Sequence, residues 1–224
     1  MYVWGTSDIV EPVKAWKEAR FKITGREWDY DFRRLFFSWT PDITREPFRP
    51  WLEVASREAT AGHAMNCDLW VSPDGLVHLL WRERAIDERL RPQFFSHERQ
   101  RHSLRYATVR DGRVIARHVL AEGGEDLSQQ LPDWGRFHVA ADGRLFVVLT
   151  LGGSTRQNQI LEILTEGRVG SPVTLPLHHP LGASFFTATP SAGSPPADTL
   201  DLLGECAHQP HTVRWARVQL PARS

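Results

Sequence analysis

The sequence predicts an all-β chain, a partial β-propeller of four-stranded antiparallel blades with about three and a half blades present. Three observations carry this expectation. A hairpin repeats without a gap, a second hairpin follows each copy, and helical periodicity is scarce.

The segment 68–81 (DLWVSPDGLVHLLW) aligns with 136–149 (RFHVAADGRLFVVL) at an offset of 68 residues. Each reads as a strand, an Asp-Gly turn and a second strand rich in Val, Leu and aromatics. Gly is favoured at such a turn because it accepts positive φ without a Cβ clash. The hairpin 105–120 (RYATVRDGRVIARHVL) follows the first copy, and 159–175 (QILEILTEGRVGSPVTL) follows the second. Two successive hairpins make a four-stranded meander, the unit that propellers repeat around a ring.

A third unit begins near Ala183, turns through Ser194, Pro195 and Pro196, and returns along Asp198 to Leu203. Its third strand spans His211 to Leu220. At the start, Tyr2 to Trp4 reads as the end of a second strand, Arg33 to Trp39 as a third and Trp51 to Ala55 as a fourth. The expected organisation is one unit: an incomplete first blade over 1–56, blades over 67–120 and 135–176, and an incomplete last blade over 183–220. A ring needs four to eight blades, so a second copy or further N-terminal blades are expected to complete it. A β-sandwich also alternates short strands with turns, but the ungapped repeat favours the propeller. Only Val13 to Arg20 and Ala85 to Arg91 read as helical.

Composition narrows the partners. Lys+Arg and Asp+Glu are both 27, so no basic surplus exists to drive general nucleic-acid binding. No charged stretch followed by an apolar core opens the sequence as a signal peptide would, and no apolar run reaches membrane-spanning length. A soluble chain without membrane or nucleic-acid partners is expected, with its compartment open. Cys67 and Cys206 are too few for a disulfide framework.

The chemistry gathers on one set of connections. The loops 56–67, 82–103, 123–135, 152–158, 176–183 and 204–211 share one face of the predicted propeller and hold seven of the ten histidines. They also carry Arg57, Glu58, Arg82, Arg84 and His179. The turns of the opposite face are short and poor in such groups. Loops positioned by a rigid scaffold commonly bear function. His63, with Glu58 beside it, is the candidate acid or base, because imidazole titrates near neutral pH. Arg57, Arg82, Arg84, Arg136 and His179 are candidate ligand contacts, guanidinium being suited to carboxylate. Asp68 and Arg136 open successive inner strands in equivalent positions, where they either contact ligand or pair with each other. Cys206, His208 and His211 match no closed zinc pattern, so neither metal nor cofactor is expected.

The blade pattern from Trp39 to Leu220 resembles the BNR-repeat, or sialidase-like, propellers. Their Asp-box runs Ser-x-Asp-x-Gly-x-x-Trp, and Ser72-Pro73-Asp74-Gly75 is one residue shorter before its Gly. The resemblance implies a carbohydrate-active propeller acting on an anionic glycan as a glycoside hydrolase or polysaccharide lyase. A sialidase would also need a tyrosine nucleophile, and none of Tyr2, Tyr30 and Tyr106 lies on the loop face. A lyase needs only a base and an arginine for the uronate carboxylate, which His63 with Arg57 or Arg136 could supply. The alternatives are a non-catalytic propeller binding a glycan or protein, and an inactive truncated product. Converging Arg and His would mark the first; dispersed Arg and His with an exposed aromatic platform would mark the second.

Overall fold

A computed structural model describes the chain except residues 28, 29, 154, 155, 165–167, 188–192, 208, 210 and 222–224. It is all-β, with four antiparallel sheets whose strands run in chain order. The first sheet holds β1 (Tyr2–Val10), β2 (Tyr30–Trp39) and β3 (Leu52–Ser56). The second holds β4 (His63–Val71), β5 (Val77–Arg84), β6 (Arg101–Arg110) and β7 (Arg113–Gly124). In the third are β8 (Leu131–Val139), β9 (Leu145–Gly152), β10 (Gln157–Ile163) and the two-residue β11 (Val173–Thr174). The fourth has β12 (Leu181–Thr187), β13 (Thr199–Cys206) and β14 (Val213–Gln219).

The sequence repeat is a structural repeat. Gly75 donates its N–H to the Ser72 carbonyl, and Ser72 to Leu76, both at 2.9 Å. Gly143 to Ala140 and Ala140 to Arg144 repeat these bonds at 2.9 Å. Gly75 and Gly143 have φ of 81° and 84°, the left-handed region where a side chain would be strained. The β6–β7 hairpin turns through Asp111 and Gly112, both at positive φ, as a two-residue type I′ connection requires. The Glu166-Gly167 turn lies outside the described residues.

The sheets stack face to face in chain order. Leu35, Phe37 and Val54 of the first sheet pack on Leu79, Trp81 and Val109 of the second. On the other face of the second sheet, Leu80, Leu104 and Tyr106 meet Phe137, Val147 and Leu149 of the third. Phe146, Val148 and Ile160 then pack on Phe185, Leu200 and Leu202 of the fourth. Strands β5 and β9 are thus buried on both faces, which is why they read as continuous apolar runs rather than alternating ones. The outer faces differ. Phe186, Leu203 and Trp215 pair across the fourth sheet and are 61%, 47% and 60% exposed. On the first sheet, Val3, Gly5, Phe36 and Trp51 line a shallow open groove.

Helix is confined to the loop end of the stack. α1 (Lys14–Thr24) lies within the β1–β2 connection and runs four residues past the expected Arg20, stopping at Gly25 with φ of 67°. The expected helix over Ala85 to Arg91 is absent; α2 covers only Arg91–Phe94. Asp87 is the reason. It accepts from Arg20 Nε at 2.8 Å and from Arg89 Nε at 3.0 Å, which fixes the segment as turns against α1. Arg20 also meets Glu11 at 2.9 Å, and Arg33 meets the same carboxylate at 3.2 Å. All three side chains are at most 1% exposed.

Removing one partner from a buried ion network leaves uncompensated charge, at about 3–5 kcal/mol. Glu11→Ala is therefore expected to lower unfolding stability by about 3 kcal/mol in urea titration, whereas Glu53→Ala, whose partner Arg34 is solvent-exposed, is expected to change it by less than about 1 kcal/mol.

Candidate functional site

The loop end of the second sheet assembles a cationic corner. His63 on β4 pairs in register with Arg84 on β5, and Arg84 with His102 on β6. Directly opposite residues of antiparallel strands share a face, so the three side chains form a row, with the His63 ring also meeting Phe32 of the first sheet edge-on at 6.1 Å. Gly62 makes the approach possible. A Cβ there would collide with the carbonyls of Arg84 and Ala85, so only glycine lets the chain enter β4 this close to β5.

One row deeper, Arg82 reaches across to the third sheet. Its Nη1 donates to Asp133 Oδ1 at 2.6 Å and to the Asp133 carbonyl at 3.2 Å. Arg156 approaches the other Asp133 oxygen at 3.6 Å. Two guanidinium groups approach the Trp134 ring, with Arg82 5.5 Å and Arg136 5.6 Å from its centroid. A face-on cation stabilises itself against the negative face of the ring.

Two arginines, Arg82 and Arg156, therefore flank one carboxylate. Arg84 is exposed and makes no hydrogen bond or ion pair among the described residues. His63 Nδ1, Arg82 Nε and Arg156 Nη1 are buried with no hydrogen-bond partner among the described residues. Burial, reinforced by Arg84 and Arg82, pushes the His63 imidazole down to about 4. His102 moves down for the same causes, burial first and then Arg84. Both rings are neutral at neutral pH, so the corner carries surplus positive charge from guanidinium alone. A group of this composition attracts an anion, and His63 retains a free imidazole able to accept a proton.

The candidates from the sequence divide into three sets. His63, Arg82 and Arg84 come together at the corner. Asp68 and Arg136 lie beside it and engage each other at 3.7 Å. Asp68 also accepts the Phe137 N–H at 2.9 Å, and Arg136 Nε donates to the Phe185 carbonyl at 3.3 Å, so this pair links the second, third and fourth sheets. Arg57 and Glu58 turn elsewhere. Arg57 binds Glu83, which also holds Arg105 at 2.8 Å and the Trp81 indole at 2.6 Å. Glu58 lies 3.4 Å from Arg33. His179 is exposed in the connection before β12. Cys206 is buried as a free thiol, His211 is exposed, and His208 lies outside the described residues.

Arg156 and His102, both from the loop face, join the corner, as does Asp133, which the sequence does not point to. The Arg84–His102 pairing spans a sixteen-residue connection (85–100), so no local turn signal announces it. Asp133 stands at a bulge in β8, which strand alternation does not predict. Among the described residues, no cluster of three or more His, Cys, Asp or Glu could hold a metal ion. No helix of the described residues is long and apolar enough to cross a membrane. In comparisons with known proteins, no family model, no curated protein and no solved structure matches the chain.

The depressed histidines set a pH dependence. His63 and His78 both lie at about 4, chiefly through burial, whereas an unfolded histidine titrates near 6.5. Between these values the unfolded chain binds more protons, so stability is full above about pH 6.5 and falls as pH drops toward 4. Urea midpoints between pH 7.5 and about 5, above the carboxylate range, are expected to decline. His63→Gln is expected to flatten part of that slope.

Proposed function

We propose that the chain is a β-propeller-type scaffold that binds an anionic glycan at its loop end. The observation that carries the ligand class is the row His63–Arg84–His102 with Arg82 and Arg156 behind it. A guanidinium without a protein partner, among buried polar atoms also lacking partners, suits the carboxylate of a uronate. The blade reading draws on the ungapped repeat, the conserved bond pattern of its turns and the serial stacking of meander sheets. It also agrees with the resemblance to sialidase-like propellers.

Within carbohydrate chemistry, elimination fits this corner better than hydrolysis. Hydrolysis ordinarily uses two carboxyl groups across the scissile bond; here Asp133 is held by Arg82 and Arg156, and Glu88, which also acts on His102, pairs with Arg91. Elimination needs a neutral base and a cation. His63 would take the proton α to the uronate carboxylate while Arg84 stabilises the developing enolate charge. The C4–O bond then breaks as the C4–C5 double bond forms, and the departing oxygen takes a proton from water.

Calorimetry with polygalacturonate at low salt is expected to show binding, weakened about tenfold in Arg84→Gln, as for loss of one charge-assisted hydrogen bond. His63→Gln is expected to keep binding and to lose the ultraviolet absorbance of unsaturated product. Binding without product in the parent chain would leave a non-catalytic glycan binder. Absence of binding to anionic polysaccharides would remove the reading. The propeller reading has its own check. With apolar residues on both end faces, the purified chain is expected to self-associate, and light scattering that gives a monodisperse monomer would count against a ring completed by further sheets.

A further inference from the structure

We propose that the cleft between the second and third sheets at their turn end, opposite the cationic corner, is a second binding site that takes a neutral saccharide. The proposal shares the carbohydrate class with the reading above but uses different residues. The cleft has a volume of about 910 Å³, within the range of small-molecule sites.

The cleft is open for a reason visible in the register. Trp70, His78, Thr108 and Ala116 stand in one row across the second sheet, facing the third. The first two are large and the last two small. Deeper rows carry Leu80 with Tyr106 and are filled from the third sheet by Phe137 and Val147. At the turn end the small pair leaves space that nothing among the described residues fills. Trp70 is half-buried, its ring 4.8 Å from His78. His78 Nδ1 hydrogen-bonds the Tyr106 hydroxyl at 2.8 Å, which holds the base of the cleft rigid. Ile115, 59% exposed, lines the outer wall.

The rim is polar and charge-balanced. Arg110 pairs with Asp74 at 2.5 Å and Arg144 with Asp142 at 2.7 Å. Asp74 and Asp142 are repeat-equivalent, so both sheets present the same type of ion pair to the cleft. Counting Arg168 and Glu162, three arginines face three carboxylates among the described lining residues. Burial keeps His78 neutral at neutral pH. No net charge selects an anion, in contrast to the corner at the other end. An ion-paired rim offers donors and acceptors side by side, as vicinal hydroxyls require. An indole beneath them suits the C–H face of a sugar ring, since aromatic side chains supply apolar area with fixed geometry.

The test uses the full chain and neutral oligosaccharides, namely cellohexaose, mannohexaose and maltohexaose, by saturation-transfer NMR and calorimetry. At least one is expected to bind. Trp70→Ala should weaken it tenfold or more, Arg110→Gln severalfold, and Arg84→Gln not at all. Arg110 lies on the exposed rim, so its variant tests the site even where Trp70→Ala perturbs folding. No binding by any of the three sugars, or binding unchanged in both Trp70→Ala and Arg110→Gln, overturns the proposal. Failure of polygalacturonate binding alone would sink the corner and leave the cleft standing.

Discussion

Burial of β5 and β9 on both faces is the constraint from which the rest of this structure follows. A strand covered on both sides cannot carry unpaired polar groups along its length, because each would lose its hydration without compensation. Polar chemistry is therefore pushed to the strand ends. Most titratable clusters described above obey this; the Asp68–Arg136 pair, within β4 and β8, is the exception. The Glu11–Arg20–Arg33 network, the Glu83 cluster and the cationic corner all lie at the loop end, while His78 and the Asp–Arg pairs lie toward the turns.

Arginine abundance alone is a poor guide to a binding surface. Arg57, Arg82, Arg91, Arg105, Arg136 and Arg144 each meet a carboxylate. Such pairs join sheets, loops and turns, and the exposed ones contribute little to stability. Their value is positional. Arg136 bonds the fourth sheet while stacking on Trp134, and Arg82 spans the second and third sheets through Asp133. What distinguishes Arg84 is that its register neighbours are two neutral histidines rather than an acid.

The strands and turns were legible in the sequence because their signals are local. Asp74-Gly75 and Asp142-Gly143 encode a backbone conformation directly, and the ungapped repeat reproduces its hydrogen bonds. Strand limits in the fourth sheet likewise follow from short apolar runs between breakers. The segment 85–91 misleads because its Ala, Glu and Arg are good helix formers, whereas contacts from α1, distant in sequence, decide its conformation. Face assignment fails for a similar reason. Arg57 looks like a neighbour of His63, but Glu83 and Ser103 face the first sheet while Arg84 and His102 face the third. The register shift between Asn66 and Asp68 further separates the faces. The turn-end cleft was hidden because its walls come from several strands, and its openness depends on the small size of Thr108 and Ala116.

The two ends of the interface between the second and third sheets also differ in how they could select a ligand. Charge over the whole chain sums to zero, so the surplus at the corner is a local departure rather than part of a long-range field. At physiological ionic strength such a surplus is felt over only about 8 Å. It cannot steer a distant polyanion; it can discriminate one already in contact. In the proposed reading, selectivity at the corner would come from the geometry of Arg84 between two neutral imidazoles, where a planar carboxylate would meet a planar donor. At the turn end the paired charges cancel and the discriminating feature is shape, an indole floor beneath paired donors and acceptors. A glycan in which charged and neutral units differ would meet two different tests at opposite ends of one sheet interface.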